Sequence, residues 1–229
     1  KRRNEAFKTD TELYKRREDS TSIWAGRLLR FLVEQVNYSG SLVLPYFASE
    51  WIKSEDIQNM ESFINGLNPE ARGSVYAQYC EKALKQAKKV QPGNSAYDFM
   101  LQDIEGKEYR LSDFRGSYVL LEFSASWCGW CKKEIPFIRK AYHALKDKNI
   151  TFVTLMMDDK KEAWLHEIEA FDIEWLSLSD LKGMRNSPLT KAYNLGGIPD
   201  SFVVDSEGRI VCRDLRGDEV LERLSALCN

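Results

Sequence analysis

The feature that most constrains this chain is a pair of cysteines at a strand-to-helix junction. Trp127-Cys128-Gly129-Trp130-Cys131 follows the apolar run Tyr118-Val119-Leu120-Leu121-Glu122-Phe123 and opens a helix-like stretch running on from Lys132 to Lys146. A Cys-x-x-Cys pair in that setting is the layout of a redox dithiol. A cysteine at a helix N-terminus has its thiolate stabilised by unpaired backbone N–H groups and the helix dipole. The second cysteine, one turn on, shares that helix face and can close a small disulfide ring. Cys128 is thus expected to be the exposed nucleophile, and Cys131 the shielded resolving thiol. A zinc site needs about four ligands. Cys80, Cys212 and Cys228 are scattered, and His143 and His166, the only histidines, fall in separate helical patterns. No metal is expected, and no cofactor beyond a redox-active Cys128–Cys131 disulfide.

Glu122 interrupts a run that otherwise reads as a strand buried on both faces. Alternation places it with Leu120 and Ser124, opposite Val119, Leu121 and Phe123. Desolvation of a carboxyl there raises its pKa toward neutrality, the range in which it exchanges protons with a thiol.

The segment from about Ala96 onward resembles the TlpA/ResA-like thiol-disulfide oxidoreductases of the thioredoxin superfamily. The resemblance rests on Ala96-Tyr97-Asp98-Phe99 with Leu111-Ser112-Asp113-Phe114-Arg115-Gly116, and on the active-site run Ala125 to Glu134. It extends to Gly197-Ile198-Pro199 and to Phe202-Val203-Val204-Asp205-Ser206-Glu207-Gly208-Arg209-Ile210. It implies a thioredoxin fold, a mixed central sheet flanked by helices. It also implies a cis Ile198-Pro199 bond in a loop facing the dithiol, where Ile198 and Pro199, with Trp127, Gly129 and Trp130, would bind substrate. Glu122, six positions before Cys128, matches the buried acid that takes the proton of Cys131. Pro136 matches a kink in the first helix. Three departures stand out. Trp130 replaces a proline often found between the cysteines. The run from Thr151 to Met157 lacks the lysine thioredoxins carry near the acid. Asp200 brings a negative charge expected beside the substrate groove.

The resemblance further implies dithiol–disulfide exchange with disulfide-containing protein substrates, in the reducing direction, in the periplasm or cell envelope. A membrane dithiol carrier would be the electron donor. Two other readings are a peroxiredoxin-like peroxidase and a partner-docking module with a vestigial dithiol. The stretch Ser124-Ala125-Ser126-Trp127 stands where peroxiredoxins carry a threonine and a proline, which opposes the first. The joint presence of Glu122, both cysteines and Pro199 opposes the second.

Residues 1–92 read differently, as an all-helical region before a thioredoxin-like domain at 93–229. Trp24, Leu28, Phe31, Leu32 and Val36 form one helical stripe. Ser54 caps a second helix carrying Ile57, Met60 and Ile64, and ending at Gly66. Asn68-Pro69 starts a third, striped by Tyr76, Tyr79, Cys80, Ala83, Leu84 and Ala87. Gln91-Pro92-Gly93-Asn94-Ser95 reads as a linker. This arrangement resembles envelope proteins of Bacteroidetes, and the abrupt charged start fits a chain lacking an upstream piece. Net charge is −2 over 229 residues, which gives no case for nucleic acid. The basic runs Lys1-Arg2-Arg3 and Lys15-Arg16-Arg17 read as solvated surface. The longest apolar stretch, Leu42 to Phe47, is too short to span a bilayer. Cys80, Cys212 and Cys228 read as small buried hydrophobes or unreactive thiols.

Overall fold

The structure, a computed structural model, describes residues 57–228. The Trp24–Val36 stripe, the Ser54 cap, the Leu42 run and both basic runs lie outside them. The chain divides into two compact units, residues 1–88 and 89–229.

In the first unit, helix α1 (Ile57–Gly66), the single turn α2 (Pro69–Arg72) and helix α3 (Val75–Lys89) follow in order. Asn68 caps α2, its side chain accepting from the Ala71 N–H at 2.8 Å with Pro69 at the first position. The missing proline N–H costs nothing there, since that donor has no helical partner. Met60, Phe63 and Ile64 of α1 pack with Leu67, Ala71, Ala77, Cys80 and Leu84. The α3 stripe departs from expectation. Ala77, Cys80, Leu84 and Ala87 are its buried line, whereas Tyr76 and Tyr79 are exposed. Each tyrosine precedes a buried residue by one position, about 100° around the helix, so both cannot share that face.

The second unit is a seven-stranded mixed sheet in the order β2-β1-β5-β4-β3-β6-β7. Its strands are β1 (Met100–Gln102), β2 (Glu108–Arg110), β3 (Tyr118–Ser124), β4 (Ile150–Met156), β5 (Leu176–Ser179), β6 (Asp200–Val204) and β7 (Ile210–Arg213). Strands β3, β4 and β5 run parallel, β6 pairs antiparallel with β3, and β7 pairs antiparallel with β6. Helix α4 (Gly129–Leu145) makes the β3-to-β4 crossover and α5 (Lys161–Ala170) the next. The short α6 (Gly183–Asn186) and α7 (Pro188–Ala192) precede β6, and α8 (Glu219–Leu227) closes the chain. This is the thioredoxin-type sheet the sequence predicts.

Period-two alternation sorts β3 between two cores. Val119, Leu121 and Phe123 join Val153, Leu155, Phe202 and Val204 on one face. Leu120 joins Ile135 and Ile138 of α4 and Val220 and Leu224 of α8 on the other. Glu122 belongs to that second face, where two helices cover it. Its backbone is opposite Thr154 in β4 and Ser201 in β6. Within the β6–β7 turn, Gly208 sits at φ +83°, and a Cβ there would overlap the Arg115 guanidinium. The positive φ favours glycine, and a larger residue would also have to displace the Arg115 side chain.

The segment read as a linker is instead part of this unit. Gly93 N–H donates to the Ile210 carbonyl, Ile210 N–H to Asn94 and Ala96 N–H to Gly208. Farther on, the buried Tyr193 hydroxyl donates to the Tyr97 carbonyl at 2.9 Å. Free backbone donors near a sheet edge find partners, and composition alone does not reveal which loop supplies them. No helix of the described residues is long and apolar enough to cross a membrane.

Candidate active site

Parallel strands β3 and β4 end together, and the chain turns from β3 into α4 through Ala125-Ser126-Trp127-Cys128. Asp158, just past β4, fixes that turn. Its carboxylate accepts from the Ser126 N–H at 3.0 Å and the Ser126 hydroxyl at 2.6 Å. Cys128 then occupies the N-cap of α4 and the helix begins at Gly129, so the cysteine pair opens the helix as the sequence suggests. The Cys131 N–H points at Cys128 Sγ from 3.0 Å. A donor aimed at the sulfur, together with the helix dipole, favours thiolate over thiol once the pair is reduced.

Cys128 and Cys131 form a disulfide, with Cα atoms 5.3 Å apart. Cys131 is fully buried and Cys128 is 5% exposed. The order of access agrees with expectation, but Cys128 is more covered than a freely exposed nucleophile. The Ile198 carbonyl, 3.6 Å from Cys128 Sγ, lies against it. The Ile198-Pro199 bond is cis. Trp127 is 61% exposed and Trp130 44%, so both indoles next to the cysteines in sequence stand at the surface. Lys133 Nζ sits 4.0 Å from the Trp130 ring centroid, a cation–π contact. Gly129 has no atom within 4 Å of where a Cβ would stand, so the surface there is open.

Behind the disulfide the chemistry is reversed. Glu122 is buried, and its Oε2 accepts from Thr154 Oγ1 at 2.9 Å, which in turn accepts from Trp175 Nε1 at 2.8 Å. Thr154 thus supplies a polar partner on the strand where no lysine occurs. Among the described residues, Glu122 Oε1 finds no hydrogen-bond partner. Burial, only partly offset by Thr154 and by the Arg216 charge, pushes the Glu122 carboxyl up to about 7, and nearby Glu134 adds to the rise. Glu122, Glu134, Pro199, Ser201 and Arg216 line one cavity of ≈ 10 Å³, about the room of one water molecule. Cys131 does not line it, but precedes Glu134 by three residues on the same helix face.

Asp200 corrects an expectation. Its carboxylate is buried, salt-bridged to Arg213, and accepts from the Ser201 N–H. Every residue of β6 is buried, and with its carboxylate paired Asp200 puts no free negative charge on the substrate side. Burial still holds its carboxyl above the usual range despite Arg213.

Three functional-site residues carry no role in the sequence reading. Glu134 is recoverable, because a third position after Cys131 shares its helix face. Asp158 follows the end of a parallel strand, where open α/β sheets gather their sites. Arg216, in the loop before α8, leaves no periodic signal. Lys132 also meets a partner, buried Glu167, at 3.4 Å. The remaining cysteines form no disulfide among the described residues. Cys80 is buried in the first unit, and burial raises the thiols of Cys212 and Cys228.

Comparison with known proteins agrees with this geometry. The AhpC/TSA family matches residues 92–213. The ResA thiol-disulfide oxidoreductase of Bacillus thuringiensis (strain Al Hakam) is 30% identical over 136 residues, 59% of this chain and 76% of its own length. The thioredoxin domain of a thiol-disulfide oxidoreductase from Bacteroides vulgatus superimposes with a TM-score of 0.57 at 32% identity, covering 61% of this chain and 99% of that one. A thiol:disulfide interchange protein from Bacteroides sp. gives 0.56 at 32% identity, over 62% and 92% of the two chains. The chain therefore belongs to the AhpC/TSA family and is a thioredoxin-fold thiol-disulfide oxidoreductase.

Proposed function

We propose that this enzyme reduces disulfides of protein substrates in the cell envelope, drawing electrons from a membrane dithiol carrier. The observation that carries the reading is the placement of Cys128 Sγ at the N-cap of α4, beneath the Ile198 carbonyl, in a fold whose strand β3 carries a buried acid pushed up to about 7. In the reduced enzyme, the Cys128 thiolate attacks one sulfur of a substrate disulfide. A mixed disulfide forms, and the first substrate sulfur leaves as a thiolate. Cys131 gives its proton to the Glu122 carboxylate and attacks Cys128 Sγ. The second substrate sulfur leaves, the substrate is reduced by two electrons, and Cys128 and Cys131 close into the disulfide. The carrier dithiol then restores both thiols.

Backbone groups of Ile198 and Pro199 would hold an extended substrate strand, with Trp127 and Trp130 on either side of open Gly129. Direction and location rest on the family resemblance rather than on the cysteines. Thioredoxin-fold dithiols span about −270 to −120 mV, so the motif alone sets no direction.

Trapping tests the assignment. Cys131→Ser keeps the nucleophile and should accumulate covalent mixed disulfides with envelope proteins; Cys128→Ser should trap almost none. The wild-type chain, supplied with dithiol, should reduce a protein disulfide faster than dithiol alone. A reversed trapping pattern would exchange the two roles. An inert wild type that traps nothing would establish a docking module, and turnover of hydrogen peroxide without disulfide reduction a peroxidase.

A further inference from the structure

The loop between β7 and α8 touches both halves of the active site within two consecutive residues. Arg216 is 12% exposed in its side chain. Its Nη2 donates to the Pro199 carbonyl, and its Nη1 donates to the Leu215 carbonyl at 2.9 Å and lies 3.5 Å from Ser201 Oγ. The next residue, Gly217, donates its N–H to Glu134 Oε2 at 2.8 Å. One peptide unit therefore ties the loop that lies over Cys128 to the helix that carries both cysteines. Asp214, at φ +62°, closes the turn and pairs with Arg216 at 2.6 Å. The same guanidinium lines the small cavity that Glu122 and Glu134 share.

We propose that Arg216 is a positioning residue of the exchange reaction, holding the Pro199 carbonyl in place and supplying the positive charge that lets Glu122 serve as a base. The second half of this rests on the reading of Glu122 as acceptor of the Cys131 proton. A planar guanidinium can reach two carbonyls at once, and it remains charged at every relevant pH. The charged groups around Glu122 are few. Glu134 faces it from α4, and Arg216 from the β7–α8 loop with Asp214 behind it. The neutral Thr154 and Ser201 face it from β4 and β6, and the Asp200–Arg213 pair sits at the start of β6. Arg216 is the cation among the residues lining the cavity. Two buried carboxylates sharing a site repel each other, and a cation between them keeps one ionised.

Reduced full-length protein mixed with a disulfide-cyclised test peptide provides the readout. The fluorescence of Trp127 and Trp130 follows formation and decay of the mixed disulfide as pH varies. In the wild type the decay rate should rise with pH around a midpoint that Glu122→Gln abolishes. Arg216→Gln should move that midpoint alkaline by about one unit or more. The decay rate at pH 7 should then fall about fivefold or more, and higher pH should restore it. Arg216→Lys keeps the charge and loses the fork. Its midpoint should hold while the concentration of peptide needed for half-maximal rate rises severalfold. Asp214→Asn should move the midpoint the other way, because Arg216 loses its competing carboxylate, and asparagine tolerates the left-handed backbone. This variant serves even if Arg216→Gln fails to fold. A Glu122-dependent midpoint that neither Arg216→Gln nor Asp214→Asn moves would overturn the charge role and leave the Glu122 reading standing. A wild-type profile without such a midpoint would remove both. Unchanged peptide dependence in Arg216→Lys would overturn the positioning role.

Discussion

The surfaces in front of the disulfide and behind it invert the usual distribution of residues. In front, two tryptophans stand largely in solvent around Gly129. Behind, two glutamates and an arginine share a cavity with room for about one water. Exposed aromatic surface loses little when a partner covers it, whereas a buried carboxyl loses hydration and titrates where thiols react. The front is built to meet another molecule, and the back to manage a proton. Variants that affect one side and spare the other measure how far the division holds.

Glu122→Gln should give the largest effect behind the disulfide. A positioned base contributes about 10²–10⁴-fold. Mixed-disulfide decay should therefore fall about a hundredfold at pH 8, while its formation stays within about twofold. Stability should move the opposite way. The folded carboxyl keeps its proton from about pH 4.5, where an ordinary glutamate loses it, up to about 7. In that window the folded chain binds more protons than the unfolded, so wild-type stability declines as pH rises through it. The accumulated cost at pH 8 is on the order of 3 kcal/mol. Glutamine escapes it, so the variant should be more stable than wild type at pH 8 and equal to it at pH 4. Denaturant melts at both pH values check this. A variant less stable at pH 8 would mean that the carboxylate is solvated and the two sides are less distinct.

The front half of this contrast is legible in the sequence, because its parts are contiguous. Trp127 to Cys131 lie in one run, and a helix N-terminus follows from the strand-then-helix pattern alone. Glu122 is legible for a related reason, since a lone acid in an apolar strand has to be buried or misplaced. The back is not legible, because it is assembled from residues far apart in the chain. Glu134 meets Gly217 across 83 positions and Arg216 meets Pro199 across 17. Asp200 misleads because its neighbours suggest a groove, while its side chain is buried against Arg213. Tyr76 and Tyr79 mislead because tyrosine counts as apolar in a stripe, yet lies comfortably at the surface. The segment around Gly93 has a linker's composition and a sheet edge's hydrogen bonds.

Asp158 lies on neither side of the contrast, and its removal asks whether the front depends on a scaffold. It is buried and holds both the N–H and the hydroxyl of Ser126. Asp158→Ala leaves those donors without their acceptor, at about 1–3 kcal/mol. The melting midpoint should drop by several degrees, and mixed-disulfide formation should slow severalfold as the turn before Cys128 loosens. Asp158→Asn, which can accept from one donor and donate to the hydroxyl, should recover most of both. A fall in stability with no change in formation rate would show that the turn holds Cys128 without Asp158.

The smallest effects belong to the front, and they should be selective. Trp127 is 61% exposed, so Trp127→Ala removes little buried surface and should change stability by no more than about 0.5 kcal/mol. Trp130 is less exposed and stacks under Lys133 Nζ, a contact worth about 0.5–1 kcal/mol at an exposed site. Trp130→Ala should therefore cost slightly more. Neither indole touches the proton-handling cavity, so the pH midpoint of mixed-disulfide decay should stay where it is in the wild type. The expected change is in KM alone. It should rise severalfold for a disulfide within a folded protein and remain unchanged for a small disulfide such as oxidised glutathione, which brings no folded surface to the indoles. Steady-state rates with the two substrates measure this directly. If both variants lose activity equally on the two, the indoles act on the disulfide itself, and the front is part of the chemistry rather than a surface for meeting partners.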